Sequence, residues 1–318
     1  GILTKSGVFG VLILCRYLFW TELPWNTVVL ALGVVTMVLG AVLALFSVDL
    51  KRTLACSSMS QIGFILVGTA MQGFLNGENA LAAWGTVLHM LNHSLIKLVL
   101  FVAAGVVYLG THSLNLNDIR GWGRNKPVLK VLFFVGAASI AGIPGFSGYV
   151  SKTLLHESIV EYIHLAPEYG VLFTGLEWLF LFSGGLTLAY MLKVFVCLFG
   201  EKNALPEKVL EQKWHGPKPY IAPATAATMG VYLVGMAVLG MAPNWGMDSL
   251  AAVARSFLHG EGPEHAVAYF SAVNLRGAAI SIVVGSLVYL LVVRRWLIRR
   301  GRYIDPIPKW MNLAFGLY

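Results

Sequence analysis

Charge is what this sequence has least of. Only 12% of its 318 residues are Asp, Glu, Lys or Arg, while 57% are hydrophobic. A soluble domain of this length would carry about a quarter charged residues. With mean hydropathy at +0.73, the scarcity excludes a soluble globular domain and a disordered chain. It also removes nucleic acid from the expected partners despite a net charge of +8. Cysteine is scarce too. Cys15, Cys56 and Cys197 lie far apart in apolar stretches without a CxxC pair or Cys/His ligand spacing, so neither a metal site nor a disulfide framework is expected. No catalytic triad and no Gly-rich phosphate loop stands out. We expect no cofactor and no redox chemistry of the chain's own. A signal peptide is also lacking: the chain opens at Gly1, in GILTKSGVFG, on a shortened apolar run, and reads as a fragment of a longer protein.

Long apolar runs are abundant, and their length suits helices rather than barrel strands. Eight spans can be drawn: Gly1–Trp20, Thr27–Val48, Thr53–Phe74, Asn79–Leu109, Val128–His164, Val171–Phe199, Tyr220–Met241 and Ser271–Ile298. The expected fold is all-α, a polytopic membrane helix bundle forming one membrane domain over 1–318. Within it, 1–199 hold the candidate site and 200–318 the C-terminal spans and basic tail. Most of the 23 Lys and Arg residues fall after spans two, four, six and eight, and the opposite side holds only Arg16, Arg255 and Arg276. By the positive-inside rule the basic loops and tail are cytoplasmic. The loop 200–218 reads as solvated, MDSLAAVARSFLHG as an interfacial helix, and the tail as a contact for anionic lipid.

Within the fourth span, WGTVLHMLNHSLIKLVLFVAAGVVY carries His89, His93 and Lys97. Two steps of four put them on one helix face, about 40° apart per step, in a row roughly 12 Å long. A lysine at membrane depth costs about 2.5–3.5 kcal/mol and calls for a partner or a role. One reading is a structural helix whose histidines bond neighbouring backbone while the lysine snorkels; the other is a proton relay. Haem or metal ligation by His89 and His93 is a third, weakened by the missing Glu of the two-histidine zinc motif.

The fifth span is interrupted by Gly142-Ile143-Pro144-Gly145, too many breakers for a continuous helix. Broken helices at membrane depth line cavities or polar paths. Lys152 follows the break, with His156 and Glu157 in the next turn as accessory groups. A Lys152–Glu157 pair within one helix has a poor offset. Lys5 in the first span is either an end-of-helix lysine or, if the span continues upstream, a deep one. Glu177 in span six reads as interfacial.

VDLKRTLACSSMSQIGFILVG resembles the D-x-K-R-x-L-A-Y-S-S-x-S-Q-x-G signature of the antiporter-like subunits of the respiratory complex I superfamily. That superfamily comprises NADH:quinone oxidoreductase, membrane-bound hydrogenases, formate hydrogenlyase and multisubunit sodium/proton antiporters. HMLNHSLIKLVLF resembles its His-x-x-x-His-x-x-x-Lys helix, and GIPGFSGYVSKTLLHE its broken helix with a terminal lysine. The resemblance implies a partial inverted-repeat antiporter fold. It aligns Lys5 with the connecting position of the family's eighth helix, His89, His93 and Lys97 with the central relay of the eleventh, and Lys152 with the lysine of the broken twelfth. The family's glutamate–lysine pair on its fifth and seventh helices would precede Gly1. Cys56 replaces the motif tyrosine, and TLLHES after Lys152 resembles the hydrogenase and formate-hydrogenlyase branch.

The resemblance implies a non-redox, proton-translocating subunit of a complex-I-like oxidoreductase or hydrogenase, in a prokaryotic cell membrane. Its partners would be neighbouring antiporter-like subunits and a peripheral redox arm. Protons are expected to move from Lys5 through His93, His89 and Lys97 to Lys152, then outward past His156. Lysine is switchable through desolvation and an approaching carboxylate, and histidine titrates near neutral pH. The alternative is a sodium/proton antiporter subunit using the same lysines; a further one is a structural subunit.

Overall fold

The computed structural model of the protein describes residues 2–20, 22–203, 205–206, 209–210, 213–214, 219–258 and 267–306. Eleven named helices follow one another there: α1 Ile2–Tyr17, α2 Leu23–Phe46, α3 Leu50–Leu75, α4 Ala80–Thr111, α5 Leu116–Ile119, α6 Pro127–Ala141, α7 Ser147–Leu165, α8 Gly170–Phe195, α9 Pro223–Met241, α10 Pro243–Leu258 and α11 Ala272–Val288. π-helical turns extend α8 over Val196–Gly200 and α11 over Tyr289–Leu297, and a two-stranded hairpin pairs β1 Ile298–Arg299 with β2 Arg302–Tyr303.

Each of the eight apolar stretches is helical. Six helical segments, α9 among them, are long and apolar enough to cross a membrane individually. α1 is shorter, with 16 residues, and the fifth stretch is divided between α6 and α7. The boundaries follow local chemistry. Pro24 sits in the first turn of α2, where its missing N–H costs nothing. Asp49 caps α3 by accepting from the Arg52 N–H at 2.8 Å, the usual work of an N-cap carboxylate. α6 closes on Gly142 at φ +78°, a left-handed C-cap that a side chain would strain. The segment read as interfacial falls mostly within α10, while its last two residues, the end of the tail and parts of the loop 200–218 lie outside the described residues.

α3, α4 and α8 form the middle of the bundle, with α2, α6, α7 and α11 packed around them. α2 and α3 approach closely because glycine stands at the crossing. A Cβ on Gly40 would lie 2.4 Å from the Ser60 nitrogen, and one on Gly63 would lie 2.3 Å from the Met37 nitrogen. Without a hydrophobic drive between helices in lipid, such contact supplies the association. Gly40→Leu is expected to lower the thermal unfolding temperature of the assembled protein in detergent, overpacking there costing about 1–3 kcal/mol or more. An unchanged transition would disprove the close packing.

The predominantly basic loops gather at one end of the bundle. An isolated antiparallel bridge joins Asp49 to Asn115, with Leu50 donating to the Leu114 carbonyl at 2.8 Å. Glu201 accepts from Arg120 at 2.6 Å, Arg294 at 2.5 Å and the Tyr303 hydroxyl at 3.0 Å. Arg52 pairs with Asp305 at 3.0 Å, and Lys213, 2.8 Å from Asp118, holds that carboxyl below the usual carboxylate range.

Candidate functional site

The site is a line of polar groups inside an apolar bundle. His89, His93 and Lys97 of α4 are buried, as are Lys5 of α1 and Lys152 of α7. α3 supplies the facing polar row, one residue per turn. The Lys97 ammonium donates to the Leu54 carbonyl at 3.0 Å and to the Ser57 hydroxyl at 2.7 Å. Ser57 in turn shares a hydrogen bond of 2.8 Å with the Tyr190 hydroxyl of α8. One turn further along α3, the Gln61 side-chain carbonyl lies 3.1 Å from His89 Nε2, and its amide nitrogen donates to Thr187 at 3.4 Å. Ser57 and Gln61 of the CSSMSQ stretch therefore face the relay candidates, whereas Ser60 donates to the Met37 carbonyl of α2.

The His89 and His93 rings are nearly parallel, with centroids 6.5 Å apart and planes 11° from each other. Neither ring nitrogen of His93 has a hydrogen-bond partner among the described residues. A buried imidazole without partners is costly, so its retention at the centre of the row asks for a role.

The far end of the row meets the broken helix. His89 Nδ1 lies 3.0 Å from the hydroxyl of Ser151, the residue before Lys152. Asn92 donates to the Ser147 carbonyl at 2.8 Å and to Ser151 at 3.1 Å. The interruption after α6 frees helix-end carbonyls, and Lys152 donates to that of Ile140 at 2.9 Å. The negative end of a helix favours a cation there. The ammonium also lies 4.8 Å from the Phe64 ring centroid, and a Cβ on Gly142 would come 3.0 Å from Lys152 Cδ. The break thus both provides the acceptor and makes room for the lysine.

The geometry corrects one expectation. The spatial order is Lys97, His93, His89, Lys152, so His89, not Lys97, is the neighbour of the broken helix. The reason is that α3 and α8 take Lys97 at one end while α7 crosses α4 near His89. Glu157 does not pair with Lys152: its Oε1 accepts from Asn274 at 2.6 Å. Glu177, read as interfacial, lies with Oε1 3.0 Å from His156 Nε2.

Lys193 of α8 was not singled out from the sequence. It is fully buried, donating to the carbonyls of Ala44, Leu45 and Ser47 at 3.0, 2.7 and 2.6 Å. Those are the unpaired carbonyls at the C-terminal end of α2. Tyr190, Thr187 and Asn92 were also missed. Of these, Asn92 had a signal, being three residues past His89 and on the same face.

Residues 1–166 match the family described as NADH:quinone oxidoreductase/Mrp antiporter, TM, and the chain belongs to that family. It is 37% identical over 153 residues to NAD(P)H-quinone oxidoreductase chain 4 1 of Synechococcus elongatus, an alignment covering 48% of this chain and 28% of that protein. With a Na(+)/H(+) antiporter subunit of Bacillus subtilis it shares 29% identity over 243 residues, covering 72% of this chain and 29% of the relative. Its fold matches a chain in the structure of the Mrp complex from Dietzia sp. DQ12-45-1b with a TM-score of 0.74 at 26% identity, over 98% of this chain and 33% of that one. The chain therefore spans less than a third of the length of these curated relatives.

Proposed function

We propose that this chain is a proton-translocating subunit of a multisubunit membrane complex. Protons pass along the mid-membrane row from Lys5 to Lys97, His93 and His89, and on to Lys152. The observation that carries the reading is the contact of His89 with Ser151, which joins the α4 row to the broken helix beside Lys152. Imidazoles accept and release protons near neutral pH, and lysines become titratable when desolvated. The basic loops gathered at one end support a cytoplasmic side there, with α7 running outward from its break. Residues 1–199 hold the relay and 200–318 the supporting spans. The driving energy comes from partner subunits, with a peripheral redox arm if the complex is an oxidoreductase or hydrogenase.

A second reading uses the same row for sodium/proton exchange. The likeness to the Bacillus antiporter protein favours it, since 243 aligned residues must reach beyond the family-matched 1–166. The test is ion flux in proteoliposomes holding the complete complex. Proton transport that continues in sodium-free medium supports the first reading, and strict dependence on sodium supports the second. Lys152→Met is expected to abolish transport with assembly intact. Unchanged transport in that variant would overturn both and leave a structural role for the chain.

A further inference from the structure

Lys152 is not the last titratable group on its side of the bundle. His156 follows one turn later on α7, and the two share a cavity of about 40 Å³ that also touches Thr153, Phe180 of α8, and Gly277 and Ser281 of α11. About 10–15 Å³ of such space suffices for one water, and Lys152, Thr153 and His156 offer it polar partners in an otherwise mostly apolar wall. Residues at i and i+4 on a helix stand about 6 Å apart, a gap one water spans.

His156 is oriented like a doorway. A Cβ on Gly277, in the cavity wall, would lie 3.3 Å from its Cε1 and 3.5 Å from its Nδ1, so the Nδ1 edge faces the cavity. The opposite nitrogen, Nε2, lies 3.0 Å from Glu177 Oε1. The histidine side chain is 7% exposed and that of Glu177 is 26% exposed. The polar line therefore runs from the buried lysine through the ring to a carboxylate that reaches the outside. Glu157, an acid of α7 itself, accepts at 2.6 Å from Asn274, another residue of the cavity wall.

We propose that Glu177 is the release group of this path, paired with His156 as the last relay. The inference rests on Lys152 being the final lysine of the proposed relay. One proton leaves the Lys152 ammonium through the cavity and binds His156 Nδ1. The proton on Nε2 then passes to the Glu177 carboxylate, which gives it up to water. A ring flip or tautomer exchange restores the starting imidazole, and no electrons move.

The experiment uses the intact complex in proteoliposomes. Glu177→Gln retains an oxygen to accept from His156 but cannot hold a transferred proton. It is expected to assemble with an unchanged melting temperature and to lose proton transport by at least about tenfold, whereas Glu177→Asp retains most of it. Wild-type transport in assembled Glu177→Gln overturns the proposal, and so does equal loss in the Gln and Asp variants. Should Glu177→Gln not assemble, His156→Gln takes its place, and wild-type transport there is equally fatal. Lys152→Met is measured alongside. If it abolishes transport while Glu177→Gln does not, only the release group is wrong; if Lys152→Met is also silent, the relay reading itself fails.

Discussion

Replacing Lys97 by methionine is expected to stop proton transport while leaving the bundle assembled. Methionine is flexible, unbranched and of similar length, so it fills the same space. The groups left behind are not stranded. The Leu54 carbonyl also accepts from the Ser58 hydroxyl at 3.1 Å, and Ser57 retains its 2.8 Å bond to Tyr190. An ammonium held by one carbonyl and one hydroxyl at this depth is costly, so its removal is neutral or stabilising for the fold. Loss of a positioned proton carrier lowers transport by about 100-fold or more. Lys97→Arg separates charge from titration, because a guanidinium stays protonated; transport is expected to fail there as well. Flux and thermal unfolding measured on the same preparation check both statements, and normal flux in either variant would remove Lys97 from the path.

Lys193→Met is expected to do the reverse, lowering the melting temperature while transport per assembled complex stays near wild type. Lys193 has three acceptors, all backbone carbonyls at the end of α2. Methionine satisfies none of them. Leaving a buried acceptor unpaired costs about 1–3 kcal/mol, and this cluster loses its common donor. The two lysines look alike in composition and burial but differ in what holds them. A melting temperature unchanged alongside lost transport would make Lys193 a relay member instead of a cap.

Much of the fold was legible in the residues alone. Apolar runs marked all eight helical stretches, and Gly142-Ile143-Pro144-Gly145 marked the interruption between α6 and α7. The His89/His93/Lys97 face followed from helix period alone. What stayed hidden was each group's partner in another helix. Gln61 and Ser57 stood in a recognised motif, yet their bonds to His89 and Lys97 span 28 and 40 residues. Lys193 drew no attention, since no local signal shows that a helix 146 to 149 residues upstream stops against it. The neighbour of Glu177 stayed hidden for the same reason, with His156 lying 21 residues back on a different helix. The π-helical turns at Val196–Gly200 and Tyr289–Leu297 are too short to leave a periodic trace.

The three-way bond of Glu201 bears on biogenesis. Arg120 is made 81 residues before Glu201, whereas Arg294 and Tyr303 follow it by 93 and 102. During synthesis, the first tie can form as soon as α8 has inserted, but the other two must wait until α11 and the hairpin have emerged. Closing such long loops costs little more than closing short ones, so the delay is one of timing and not of energy. Until then Glu201 is only partly engaged, and the hairpin after α11 is what completes the clasp on the basic end.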